Sequence, residues 1–196
     1  MKKSTKIYLP IKRIADFTLS LLGLLFLLPI ILLIAVLIKA DSKGNILFCQ
    51  KRVGLNKKHF TIYKFRTMYT NAPKNLATHL LADSETHITK IGKILRKSSL
   101  DELPQLVNIL RGDMSIIGPR PALYNQYDLI ELRDKYQANS IRPGLSGWAQ
   151  INGRDEIPIE QKAEFDGFYL QNMGFPLDCL IFFRTILVAI KGEGIR

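Results

Sequence analysis

The sequence predicts an α+β fold, rich in helix, with a membrane helix near its N-terminal end. Three observations carry that reading. Residues 17–38 hold no charge over 22 positions. Residues 46–68 read as two short strands around the turn Gly54-Leu55-Asn56. Beyond residue 88, apolar positions recur at helical spacing in several separate segments.

The uncharged run, FTLSLLGLLFLLPIILLIAVLI, would be roughly 33 Å long as one helix, about the thickness of the hydrocarbon layer. It is too long for a signal peptide, and no small-x-small cleavage pattern follows it. Lys2, Lys3, Lys6, Lys12 and Arg13 precede it, and Lys39, Lys43, Lys51 and Arg52 follow it. Cytoplasmic flanks attract Lys and Arg, so both ends are expected inside. Pro29 removes a helix hydrogen bond near the middle. A kinked single span and a re-entrant helix bent at Leu28-Pro29 both accommodate that proline; the two-sided positive flanks favour the re-entrant path. Residues 1–40 are therefore expected to form a membrane-associated re-entrant helix, and residues 41–196 a cytoplasmic domain lying on the membrane surface.

Charge follows the same division. Residues 1–100 contain 18 Lys and Arg against four carboxylates, a balance of +14, whereas residues 101–196 come to −3. Positive charge gathered around an apolar helix fits anionic lipid headgroups. No nucleic-acid-binding motif is readable, so no nucleic-acid partner is expected. Cys49 and Cys179 stand alone, and His59, His79 and His87 lack zinc-ligand spacing.

In the soluble part, residues 69–90 are polar and read as a mobile loop. Ile88, Ile91 and Leu95 share one face of a basic helix whose other face carries lysines. Such an amphipathic helix fits either the membrane interface or the core. Leu103, Leu106, Val107 and Leu110 repeat at i, i+3, i+4, i+7 up to Gly112. Further helices are expected at about 123–138, 159–171 and 177–190, the last too apolar for open solvent.

Four segments could carry chemistry. In RKSSLDELPQL, Asp101 stands at an N-cap position, Glu102 opens the helix and Pro104 falls in its first turn. Capping alone would explain those carboxylates. An ionised Asp is also a competent nucleophile toward phosphorus once cations neutralise the phosphate, and Arg96 is close in sequence. In Gly118-Pro-Arg-Pro121, two prolines restrict the backbone around Arg120, which suits bidentate phosphate binding or a plain surface turn. Arg142 and Arg154 bracket a Gly-rich stretch with Trp148 at its centre. In KFRTM, a strand would place Lys64 and Arg66 on one face.

Taken together, KFRTM, SLDELPQL, GDMSIIGPRP, RPGLSGWAQINGR and FDGFYLQNMGFPLDCLI resemble the bacterial sugar transferase family, the monotopic phosphoglycosyl transferases. The resemblance runs from the apolar segment to about residue 190 and makes the chain look like a minimal, catalytic-unit-only member. It implies a transfer of sugar 1-phosphate from a UDP-sugar to polyprenol (undecaprenyl) phosphate at the cytoplasmic face of the bacterial inner membrane. That would be the first membrane step of capsule, exopolysaccharide, O-antigen or glycoprotein assembly.

By the same resemblance, Asp101 and Glu102 match the catalytic dyad, with Asp101 the nucleophile, UMP the leaving group and a phosphosugar–aspartyl intermediate between the two half-reactions. Mg²⁺ is the implied cofactor, with Asp101 as a ligand. Arg96 and Arg120 match cations of the phosphate site, and Lys64, Arg142, Arg154 and Asp166 match further substrate-binding positions. The family usually breaks its membrane helix at Ser-Pro, where this chain has Leu28-Pro29.

Overall fold

The computed structural model describes residues 3–72, 84–153 and 157–191. Helix α1 (Lys3–Asp41) stays helical across Pro10 and Pro29, so the turn expected at Leu28-Pro29 does not interrupt it and any re-entrant path bends the helix rather than breaking it. Among the described residues, it alone is long and apolar enough to cross a membrane, and only 11% of its most apolar window is buried. Phe26 is 85% exposed, and Leu22, Leu25, Leu32, Leu33 and Val36 are exposed with it. Each such side chain left in water would forgo about 1.5–3 kcal/mol of burial, so this surface is suited to an apolar environment.

Both ends of α1 are fastened to the same domain. Near its start, Lys12 pairs with Asp178 at 2.5 Å and Arg13 donates to the Ile109 and Leu110 carbonyls. The Ile116 amide donates to Asp16 Oδ1 at 3.0 Å. Near its end, Ile34 and Ile38 pack with Phe65 and Leu95. There Arg66 donates to the Ser42 and Lys43 carbonyls at 2.7 and 3.0 Å, fixing the chain just past the last turn of the helix.

The expected hairpin is strand β1 (Leu47–Val53) against β2 (His59–Phe65), antiparallel, with Leu47 opposite Phe65 and Val53 opposite His59. Its turn includes Asn56 at φ 51°, a left-handed conformation that Asn tolerates better than most residues. The strand ends at Phe65, so the strict alternation expected for Lys64 and Arg66 does not continue. Lys64 turns to the dyad and Arg66 to the end of α1.

Of the expected loop over 69–90, residues 73–83 lie outside the described residues, and Ser84–His87 form a 3-10 turn. Helix α2 (Lys90–Lys97) is capped by Thr89, whose side chain accepts from the Gly92 amide. Both faces of the amphipathic reading are seen: Leu95 is buried, while Lys90, Lys93, Ile94 and Lys97 face outward. Gly92 lies so close to the Thr67 backbone that a Cβ there would meet Thr67 O at 2.0 Å.

Helix α3 (Gln105–Arg111) ends at Gly112, which closes it at φ 88°. Strands β3 (Ser115–Ile117) and β4 (Gly144–Ser146) form a parallel pair, with Ser115 opposite Gly144 and Ile117 opposite Ser146. Three residues each is too short to show alternation in sequence. Helices α4 (Tyr127–Lys135), α5 (Trp148–Ile151), α6 (Ile159–Asn172) and α7 (Phe175–Lys191) complete the chain. Ile117, Ile141, Tyr169, Leu170, Met173 and Ile181 form one core cluster, against which Trp148 packs. Phe182, Phe183, Ile186 and Leu187 on α7 remain exposed beside that core.

Candidate active site

The dyad does not cap a helix as expected. Ser99 adopts a left-handed conformation (φ 56°, ψ 16°), and Leu100–Glu102 form a 3-10 turn. Helix α3 starts only at Gln105, with Pro104 in the cap position and no side-chain cap. Proline there forfeits nothing, because its missing N–H would have been an orphan donor. Asp101 and Glu102 are thereby turned toward the hairpin.

Lys64 Nζ lies 2.6 Å from Glu102 Oε1 and 4.0 Å from Asp101 Oδ2. Arg120 Nη2 donates to the same Glu102 oxygen at 3.0 Å. Arg96 neighbours Asp101 and donates from Nε to Thr67 Oγ1 at 3.0 Å. Arg52, on the same hairpin face as Lys64, donates to Gln50 Oε1 and, at 2.9 Å, to the Pro121 carbonyl.

These surroundings treat the two carboxylates differently. Burial alone would push the Glu102 carboxyl up, but Lys64 and Arg120 outweigh it and hold the group far below the usual range. For Asp101, burial dominates and the adjacent Glu102 charge adds to it, so its carboxyl is raised despite Lys64, Arg96 and Arg120. Burial lowers the Lys64 ammonium against the pull of Glu102. Arg52 is pushed down to about 10 by burial and by Arg120. Among the described residues, Arg52, Lys64, Arg96 and Arg120 gather around the two carboxylates in a desolvated, cation-rich setting. Such a setting favours an anionic ligand, and Arg120, with 36% of its side chain exposed, borders it.

Asn108 ties α3 to β2, the strand that carries Lys64. The Asn108 carboxamide donates to Thr61 O at 2.7 Å and accepts from the Tyr63 amide at 3.0 Å. It supplies the hydrogen bonds that a third strand would give to the outer edge of β2.

Of the other predicted positions, Asp166 is only 1% exposed and pairs with Arg133 at 2.6 Å. Arg142 donates to the Gly112 carbonyl, at the opposite end of α3 from the dyad. It lines a small cavity there with Lys12, Arg13 and Asp16. Arg154 lies outside the described residues. Sequence reasoning missed Arg52, Asn108 and Arg133. Arg52 was hidden because β1 places polar Gln50 and Arg52 on its inward face, which spoils the apolar alternation that marks a buried strand face.

The donor set fits Mg²⁺. Asp101 and Glu102 offer hard carboxylate oxygens, and no group of three or more metal-ligating side chains exists among the described residues. Magnesium commonly binds through one or two carboxylates and takes its remaining ligands from phosphate and water.

Two largely buried carboxylates met by several cations, beside a long apolar helix, suit an enzyme that handles anionic substrates. The chain belongs to the bacterial sugar transferase family, whose profile matches residues 7–192. It is 40% identical over 97% of its length to a UDP-N-acetylgalactosamine-undecaprenyl-phosphate N-acetylgalactosaminephosphotransferase of Aeromonas hydrophila, and spans 46% of that protein. It is 41% identical over 95% of its length to the uncharacterised sugar transferase EpsL of Bacillus subtilis, spanning 90% of it. A UDP-glucose:undecaprenyl-phosphate glucose-1-phosphate transferase of Escherichia coli is 37% identical over 90% of the chain, which spans 39% of that protein.

Proposed function

We propose that this protein moves a sugar 1-phosphate from a UDP-sugar to undecaprenyl phosphate through a covalent aspartyl intermediate. The observation that carries the reading is Asp101: a carboxylate not spent on capping, set among cations next to an ion-paired Glu102. An Asp101 oxygen attacks the donor β-phosphorus, the bond to the bridging oxygen breaks, and UMP leaves with that electron pair. The phosphosugar remains on Asp101. A phosphate oxygen of the lipid then attacks the same phosphorus, releasing the carboxylate and giving polyprenyl-diphosphate-sugar.

Arg120 and Arg96 would orient and neutralise the diphosphate, and Lys64 fixes Glu102. Magnesium, held by Asp101 and Glu102, would neutralise phosphate charge when bound. Its use here rests on the donor set and the resemblance.

The proposed setting is the cytoplasmic face of the bacterial inner membrane, with α1 re-entrant. Supporting this, the Lys12–Asp178 pair and the hydrogen bond from the Ile91 amide to Asp41 Oδ2 tie both ends of α1 to one domain. The exposed faces of α2 and α7 then lie at the interface, where a soluble donor and a lipid acceptor meet. The product would open assembly of a surface glycan.

The test is intact-mass analysis of the nanodisc-embedded protein with Mg²⁺ and a panel of UDP-sugars, lipid acceptor omitted. A phosphosugar adduct on the wild type, absent from Asp101→Asn, is expected. Adduct on the Asn variant, or product formed by it on adding undecaprenyl phosphate, would remove Asp101 from the mechanism.

A further inference from the structure

Arg120 sits in irregular backbone, yet four successive carbonyls around it are all held. Pro119 O accepts from the Gly144 amide at 2.8 Å, and Ala122 O from the Val53 amide at 3.0 Å. The two between them are held by side chains: Arg120 O by Arg133 Nη2 and Pro121 O by Arg52 Nη1, each at 2.9 Å. Pro119 and Pro121 have no N–H, so this stretch cannot build a regular ladder of its own.

The residue before a proline is confined to extended conformations. Within that range, the direction of the Arg120 carbonyl fixes ψ, and with it the path on which the guanidinium leaves the backbone. Arg133 sets that direction. It is itself immobilised: Nε and Nη2 both reach Asp166 Oδ2, at 2.8 and 2.6 Å, and both residues are buried.

A buried ion pair contributes little net stability, because desolvation offsets much of its attraction. The pair does link α4 to α6, but that alone would not require a donor aimed at the carbonyl of the cation that binds Glu102. We infer that Arg133, held by Asp166, is a positioning residue for Arg120 in the transfer reaction; the inference rests on the reaction proposed above. Asp166 then acts two steps from the substrate.

The test follows UMP release by the full-length protein in nanodiscs, with the UDP-sugar that labels the wild type. Arg133→Lys keeps a cation beside Asp166 but lacks the planar fork that also reaches the carbonyl. Its adduct-forming rate is expected to fall on the order of tenfold to a hundredfold, the scale of a small misplacement of a substrate-binding group. In an Arg120→Ala background the same substitution should change the rate less than about twofold, since the two act as one unit.

Should Arg133→Lys fold poorly, the paired change Arg133→Met with Asp166→Leu removes both buried charges together, and the same kinetic loss is expected. A wild-type rate in Arg133→Lys overturns the inference. So does an equal loss with or without Arg120, which would mark a purely structural pair. An inert wild type overturns the reaction and the inference together, whereas an active wild type with insensitive variants overturns the inference alone.

Discussion

Lys64 stands 2.6 Å from Glu102 and 4.0 Å from Asp101, so one ammonium divides two adjacent carboxylates into an ion-paired one and a more available one. That asymmetry separates a fixed anion from a more available one without any difference in side-chain chemistry beyond one methylene.

Lys64→Met is expected to lower adduct formation on the order of a hundredfold, as Glu102 loses its nearest cation and the diphosphate loses a neutralising charge. Lys64→Arg should recover part of the loss, having charge without the same geometry. Single-turnover mass spectrometry measures both; equal rates for Met and wild type would exclude Lys64 from the site.

The carboxylates should titrate apart. Asp101 is raised by burial and Glu102, so in the metal-free protein its ionised fraction grows only as pH climbs above the ordinary Asp range. Carbon-13 carboxyl titration should place its midpoint there, higher still in Lys64→Met and lower in Glu102→Gln. The linkage signs differ as well. A raised Asp101 withdraws stability as pH rises from the unfolded toward the folded value. A depressed Glu102 contributes stability above the ordinary Glu range and loses it as pH falls toward its folded value.

Asn108 is 0% exposed and serves both Thr61 O and the Tyr63 amide. Asn108→Leu leaves a buried donor and acceptor unpaired and should destabilise the protein by about 2–4 kcal/mol. Denaturant unfolding in detergent would check the stability. Donor turnover at a temperature where the variant stays folded should also fall, because Lys64 adjoins the freed edge of β2.

Gly92→Ala drives a methyl into the Thr67 carbonyl. Shifting α2 from that segment should cost about 1–3 kcal/mol. It should also loosen the Arg96–Thr67 bond, seen as a raised KM for donor.

The membrane path is open to a labelling test. In a Cys49→Ser/Cys179→Ser background, Lys6→Cys and Lys43→Cys place thiols near the two ends of α1, both exposed. Neither should react with an impermeant maleimide in intact cells, and both should react after permeabilisation. Labelling of residue 6 from outside would mean that α1 spans the bilayer.

The long apolar helix, the hairpin and the apolar helices were legible in the sequence. Each rests on local information: a charge-free run, a turn between β-rich segments, a spacing of 3.6. The Asp101–Glu102 pair drew attention through its resemblance to a family motif, since locally it reads equally well as a helix cap. What tertiary structure alone decided is which polar side chain meets which. It turned Asp101 away from capping, because a left-handed Ser99 opens a 3-10 turn where a regular N-terminus was expected. It buried Asp166 behind Arg133 and carried Arg142 to the far end of α3. It also brought Arg52 to the site and paired β3 with β4 across 29 positions. Those outcomes depend on partners distant in sequence, whose approach is set by packing. Residue type fixes what a side chain is able to do, and the folded neighbourhood selects which of those uses occurs.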